Sequence, residues 1–76
     1  MARSSAMKNF IENVERIRRE RGITQAELAV LVGTKQPTVS KVLRGEEEIS
    51  LFRADKWAAA LGVELSELVA NLEFVK

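Results

Sequence analysis

Apolar positions along this 76-residue chain recur mostly at three- and four-residue steps, and glycines punctuate the runs. Such spacing places side chains on one face of an α-helix, whereas a strand would alternate them. Phe10, Val14 and Ile17 form the first inward stripe, with Met7 or Ile11 at its edge. Glu12, Glu15, Arg16, Arg19 and Glu20 fall on the other face. This predicts a first helix from about Ser4 or Ser5 that closes at Gly22, a residue suited to a C-cap.

The next stretch, TQAELAVLVGTKQPTVSKVLRG (24–45), reads as two short helices around a tight corner. Thr24 and Glu27 have capping-box spacing, so Gln25 to Val32 is predicted as helix 2, with Leu28, Ala29, Leu31 and Val32 on its apolar face. Gly33 can take positive φ without a Cβ clash and turns the chain. Thr34 is a candidate N-cap for helix 3, predicted over Lys35 to Arg44, with Pro37 in the first turn where a missing N–H breaks nothing. Val39, Val42 and Leu43 point inward. The opposite stripe carries Gln36, Pro37, Ser40, Lys41 and Arg44. Ser50 is expected to cap helix 4, Leu51 to Leu61, with Leu51, Ala54, Trp57, Ala58 and Leu61 inward. After Gly62 a fifth helix is predicted over about Leu65 to Leu72, in a C-terminal segment (65–75) that also carries Phe74 and Val75. The expectation is an all-α, five-helix domain spanning 1–76.

Composition narrows the chemistry. A chain of this length supports one small domain, whose core is marginal unless its helices pack well or two chains pair. It has no Cys and no His, which removes disulfides, Cys/His metal sites and His-dependent catalysis. Neither a Gly-rich phosphate loop nor an acid pair in a cleft is visible, so no catalytic residue, metal or cofactor is expected. No apolar run approaches the ~20 residues of a membrane span, and the N-terminus lacks the apolar core of a secretory signal. A cytoplasmic, nucleoid-associated protein is the expectation. Net charge is only +1, but it is unevenly spread. Residues 1–45 hold nine Lys/Arg against four Glu, and residues 46–76 hold three against seven acids, giving +5 and −4. A basic half joined to an acidic half suits one face turned to a polyanion and another turned away.

Helix 3 carries the side chains a major groove can use. Gln36 can pair bidentately with adenine N6 and N7, and Lys41 can donate to guanine O6 and N7. Ser40 can meet either kind of base edge. Thr38 suits a phosphate or a thymine methyl, and Pro37 offers only apolar contact. Lys35 and Arg44 flank this stripe and can neutralise phosphates.

The order RGITQAELA, VGT, QPTVS, RG and AAALGV resembles the Cro/repressor-type (XRE-like) helix-turn-helix family over about Phe10 to Leu68. The resemblance implies a lambda-repressor-like fold with the helix-turn-helix at 24–45. It implies a transcription regulator that binds double-stranded operator DNA. Base contacts would fall to Gln36, Pro37, Ser40 and Lys41, and phosphate contacts to Gln25, Thr34, Lys35, Thr38 and Arg44. A pseudo-palindromic operator read by a homodimer follows, since one recognition helix covers too few base pairs for selective regulation. The C-terminal apolar surplus, Leu65, Val69, Leu72, Phe74 and Val75, is the expected dimer surface. A small phage repressor or Cro-like protein, a restriction-system controller and an autoregulating antitoxin all fit, the last with a toxin as protein partner. The family often has Glu where Leu43 stands, paired with an Arg at the position of Arg18. Here Arg18 is expected to turn to Glu15, Glu47 or a phosphate. Glu46 to Glu48 stand where the family often carries Lys or Arg. Those carboxylates favour a second reading, a helix-turn-helix protein-interaction module that does not bind DNA directly.

Overall fold

The computed structural model describes residues 5–70. They form α1 (Ser5–Arg21), α2 (Gln25–Val32), α3 (Gln36–Leu43), α4 (Leu51–Leu61) and α5 (Leu65–Val69), with no strand among the described residues. α2 begins with the capping box the sequence predicts: Thr24 Oγ1 accepts from the Glu27 amide at 3.0 Å, and Glu27 Oε1 accepts from the Thr24 amide at 2.7 Å. It ends at Gly33, whose φ of 75° lies in the left-handed region, and the Thr34 amide donates back to the Ala29 carbonyl at 2.9 Å. Ser50 caps α4 by accepting from the Arg53 amide.

The helices close around Phe10, Val14, Leu28, Val39, Val42, Trp57, Leu61 and Leu68, all essentially removed from solvent. Phe10 and Trp57 meet at their centre, with ring centroids 5.5 Å apart and planes tilted by 49°, an arrangement that satisfies the ring quadrupoles. α1 lies against α5 and, less extensively, α3, while α2 packs on α3 and α4. The α2–α3 pair is thereby held from behind by both α1 and α4.

Several expectations are corrected. Leu51 is 70% exposed, because α4 starts one turn before its inward stripe reaches the core. Leu31 is half exposed, since α2 buries the arc of Leu28, Ala29 and Val32 and leaves Leu31 on its solvent flank. α3 is one residue shorter at each end than predicted. Its N-cap is Lys35, in extended conformation and without a side-chain cap bond, so Thr34 does not fill that role. α5 stops at Val69 rather than near residue 72, because Ala70 is extended.

That early stop has a cause the hydrophobic pattern does not carry. Asn13 is buried on α1, and its side-chain Nδ2 donates to the carbonyls of Leu68 (2.8 Å), Ala70 (2.9 Å) and Glu67 (3.1 Å). Asn9 Nδ2 donates to the Val69 carbonyl at 3.0 Å. A helix end leaves its last carbonyls without intrahelical partners. Two asparagines one turn apart on α1 supply the missing donors and fasten α5 where it ends. Leu72, Phe74 and Val75 lie outside the described residues.

Candidate nucleic-acid interface

α3 is anchored on one side and open on the other. Val39 and Val42 are fully buried and Leu43 is half-buried against the core, which fixes the rotation of the helix. The remaining positions then face away from the protein. Gln36, Pro37 and Lys41 are exposed, while Thr38 and Ser40 are half-buried at the flanks. Lys35 at the start of α3 and Arg44 just past its end are also exposed. Three of the four residues assigned to base reading, Gln36, Pro37 and Lys41, are thus uncovered, with Ser40 half-buried on the flank and an exposed cation at each end of the helix.

Gln25 is half-buried at the first position of α2. First-turn amides have no intrahelical acceptor and sit at the positive end of the helix dipole, a suitable seat for an anion. Thr34 is half-buried in the α2–α3 corner. Beside it, Val32, Gly33, Arg53, Lys56 and Trp57 line a shallow depression of about 100 Å³. Arg53 and Lys56 carried no assignment from sequence. Their one-turn spacing on α4 was visible, but their position beside Thr34 depends on how α4 packs on α2.

The cations differ in how they are held. Arg44 is engaged within the protein: its Nε and Nη2 donate to the two Glu46 carboxylate oxygens at 2.8 and 3.1 Å, and its Nη1 donates to Ser40 Oγ. The hydrogen bonds and positive charge of Arg44 hold the Glu46 carboxyl below the ordinary carboxylate value, and Glu46 in turn raises Arg44 above the usual guanidinium value. Arg18, lacking the family's usual partner, takes the first of its three expected alternatives. It forks onto Glu15 (2.8 and 3.1 Å) and donates to the Ile23 carbonyl at 2.9 Å. Those hydrogen bonds hold Glu15 below its ordinary value against the opposing effect of burial. Glu47 turns to Arg53 at 3.5 Å.

The proposed dimer residues are only partly represented. Leu65 and Val69 are half-buried and line a groove of about 250 Å³ with Met7, Phe10, Ile49 and Leu51. Phe52, next to Leu51, is 85% exposed.

Comparison with known proteins agrees with this geometry. The family described as helix-turn-helix (HTH_3) matches residues 14–68. The structure is similar to that of a hypothetical transcription factor, NHTF, from Neisseria, with 29% identity and a TM-score of 0.84, covering 96% of this chain and 86% of that one. It is also similar to the restriction-modification controller protein C.AhdI from Aeromonas hydrophila, with 32% identity and a TM-score of 0.75, covering 86% of this chain and 98% of that one. No curated protein sequence matches significantly. With family residues spanning α1 to α5 and the α2–α3 pair built as described, the chain belongs to the XRE-type helix-turn-helix family of DNA-binding transcription regulators.

Proposed function

We propose that this protein is a cytoplasmic, nucleoid-associated regulator that reads a pseudo-palindromic operator as a homodimer, with α3 of each chain in the major groove. One observation carries the reading: Gln36, Pro37 and Lys41 stand uncovered on α3 while Val39 and Val42 anchor the opposite side in the core. B-DNA's major groove admits a helix, and side chains near its N-terminal half meet base edges. Gln36 and Lys41 are the hydrogen-bonding readers, Ser40 assists them, and Pro37 contributes apolar contact. Gln25, Thr34, Lys35, Thr38 and Arg44 engage phosphates on either side. The described residues carry a single α3, and half-sites lie roughly 34–36 Å apart, so reading two of them calls for a pair of chains. The proposed pairing residues are Leu65 and Val69, which line the groove, together with Leu72, Phe74 and Val75 from outside the described residues. The likeness to a restriction-modification controller favours that role over a phage repressor or an antitoxin with a toxin partner.

The test is an electrophoretic shift over a random duplex pool at two salt concentrations, with two variants. Lys41→Ala is expected to lose discrimination at one base position by ~1–3 kcal/mol, whereas Lys35→Ala weakens all sequences alike. Equal losses across all sequences from both variants would reject the division of roles. Absence of salt-dependent binding by the wild-type protein would favour the second reading, a protein-interaction module. For that reading the supporting observation is Val30, 80% exposed beside half-exposed Leu31 on α2, an apolar pair outside the DNA contacts proposed above.

A further inference from the structure

The Arg44 fork is closed within the chain itself. Its Nε and Nη2, the paired donors that match a phosphate as well as a carboxylate, are both taken by Glu46. Glu46 is itself tethered, because its amide donates to the Lys41 carbonyl at 2.8 Å, which ties this residue's backbone to the last turn of α3. A further N–H, on Nη1, donates to Ser40 Oγ. A base-reading hydroxyl, a phosphate-facing guanidinium and a carboxylate thus form one connected unit along the reading helix.

We propose that Glu46 is an internal competitor for DNA phosphate that lowers the affinity of the interface: the Nε–Nη2 face of Arg44 meets the backbone as a two-pronged donor only by leaving Glu46. The inference rests on the DNA-reading role proposed above and adds to it a residue that lowers affinity. Three consequences follow from the geometry. Glu46 weakens binding to every sequence, because Arg44 meets phosphate rather than a base. It removes close to one effective cation from each bound chain, which flattens the salt dependence. Its effect also runs through Arg44, so it vanishes where Arg44 is gone.

The experiment measures binding of a short random-sequence duplex across a salt series for the wild type, Glu46→Gln, Glu48→Gln, Arg44→Gln and the Arg44→Gln/Glu46→Gln double variant. Glu48 is the charge control, being exposed with no ion pair among the described residues. Glu46→Gln is expected to tighten binding roughly 2–5-fold, the scale of an exposed ion pair. It is also expected to steepen the slope of log affinity against log salt by about 0.9 per bound chain. Glu48→Gln should give less than half of either change, and in the Arg44→Gln background Glu46→Gln should do no more than Glu48→Gln does. Equal effects of Glu46→Gln and Glu48→Gln, or a gain that persists without Arg44, would overturn the competitor and leave only a general charge effect. The wild-type arm is read first. Failure of that arm to bind any duplex defeats the DNA-reading role itself, a result separable from any difference among the variants.

Discussion

The attachment of α5 makes the sharpest stability prediction. Asn13→Leu keeps the branching and heavy-atom count of the side chain, at a larger volume, and removes every donor it offers. The amide carries two protons, so the three carbonyls at 2.8, 2.9 and 3.1 Å share two full hydrogen bonds. The bond to Leu68 is buried, and its loss strands an acceptor that water does not reach, at about 1–3 kcal/mol. The bonds to Glu67 and Ala70 are only partly buried, so water replaces them in part. Together the substitution should cost about 2–4 kcal/mol. A domain of this length is stable by roughly 4–11 kcal/mol, so the loss takes a large share of the total. In melting temperature it corresponds to roughly 10–30 °C. Urea unfolding followed by circular dichroism measures the loss, and amide hydrogen exchange shows whether α5 loosens first. Asn13→Asp should be worse still near neutral pH, because it turns a carboxylate toward carbonyl oxygens. A loss below about 1 kcal/mol for Asn13→Leu, or wild-type stability for Asn13→Asp, would refute the reasoning.

Gly33→Ala meets no atom within 4 Å, so any cost is that of the left-handed backbone alone, about 1–2 kcal/mol by chemical denaturation. Gly33→Asn should lose less, since Asn tolerates that region better. Arg18→Ala should destabilise by roughly 1–3 kcal/mol, because it strands the Ile23 carbonyl and leaves the Glu15 carboxylate only its longer 3.4 Å pair with Arg19. It should also flatten the acid limb of the stability–pH curve. Glu15 is held below its ordinary value by Arg18, so its contribution is fully present above the unfolded-state value and fades as pH falls through the lower folded value. An unchanged acid limb in Arg18→Ala would show that the pair does not provide it. Phe52→Ser, at an 85% exposed position, should alter monomer stability by no more than about 0.5 kcal/mol. If this face joins the pairing surface, sedimentation should register weaker self-association in the same variant.

Much of the architecture was legible from local rules. The capping box at Thr24–Glu27, the positive-φ corner at Gly33, the Ser50 cap and the stripes Phe10–Val14–Ile17 and Ala54–Trp57–Ala58–Leu61 each depend on residues within a turn or two of one another. The outward face of α3 was legible for the same reason, since Val39 and Val42 set its rotation. Edges were less legible. Leu51 and Leu31 fit a stripe by spacing yet sit where the packed neighbour ends.

Helical periodicity and capping act over a few residues, and they were enough to mark which segments become helices and which side of α3 stays free. The partners of groups far apart in the chain came from helix packing: Asn9 and Asn13 on the carbonyls of α5, and Arg53 and Lys56 beside Thr34. It also decided choices among near neighbours, selecting Glu15 for Arg18 and Glu46 for Arg44 from several carboxylates within reach. An asparagine or arginine has many admissible partners in an unfolded chain, and only the packed arrangement of helices selects which one lies at hydrogen-bonding distance.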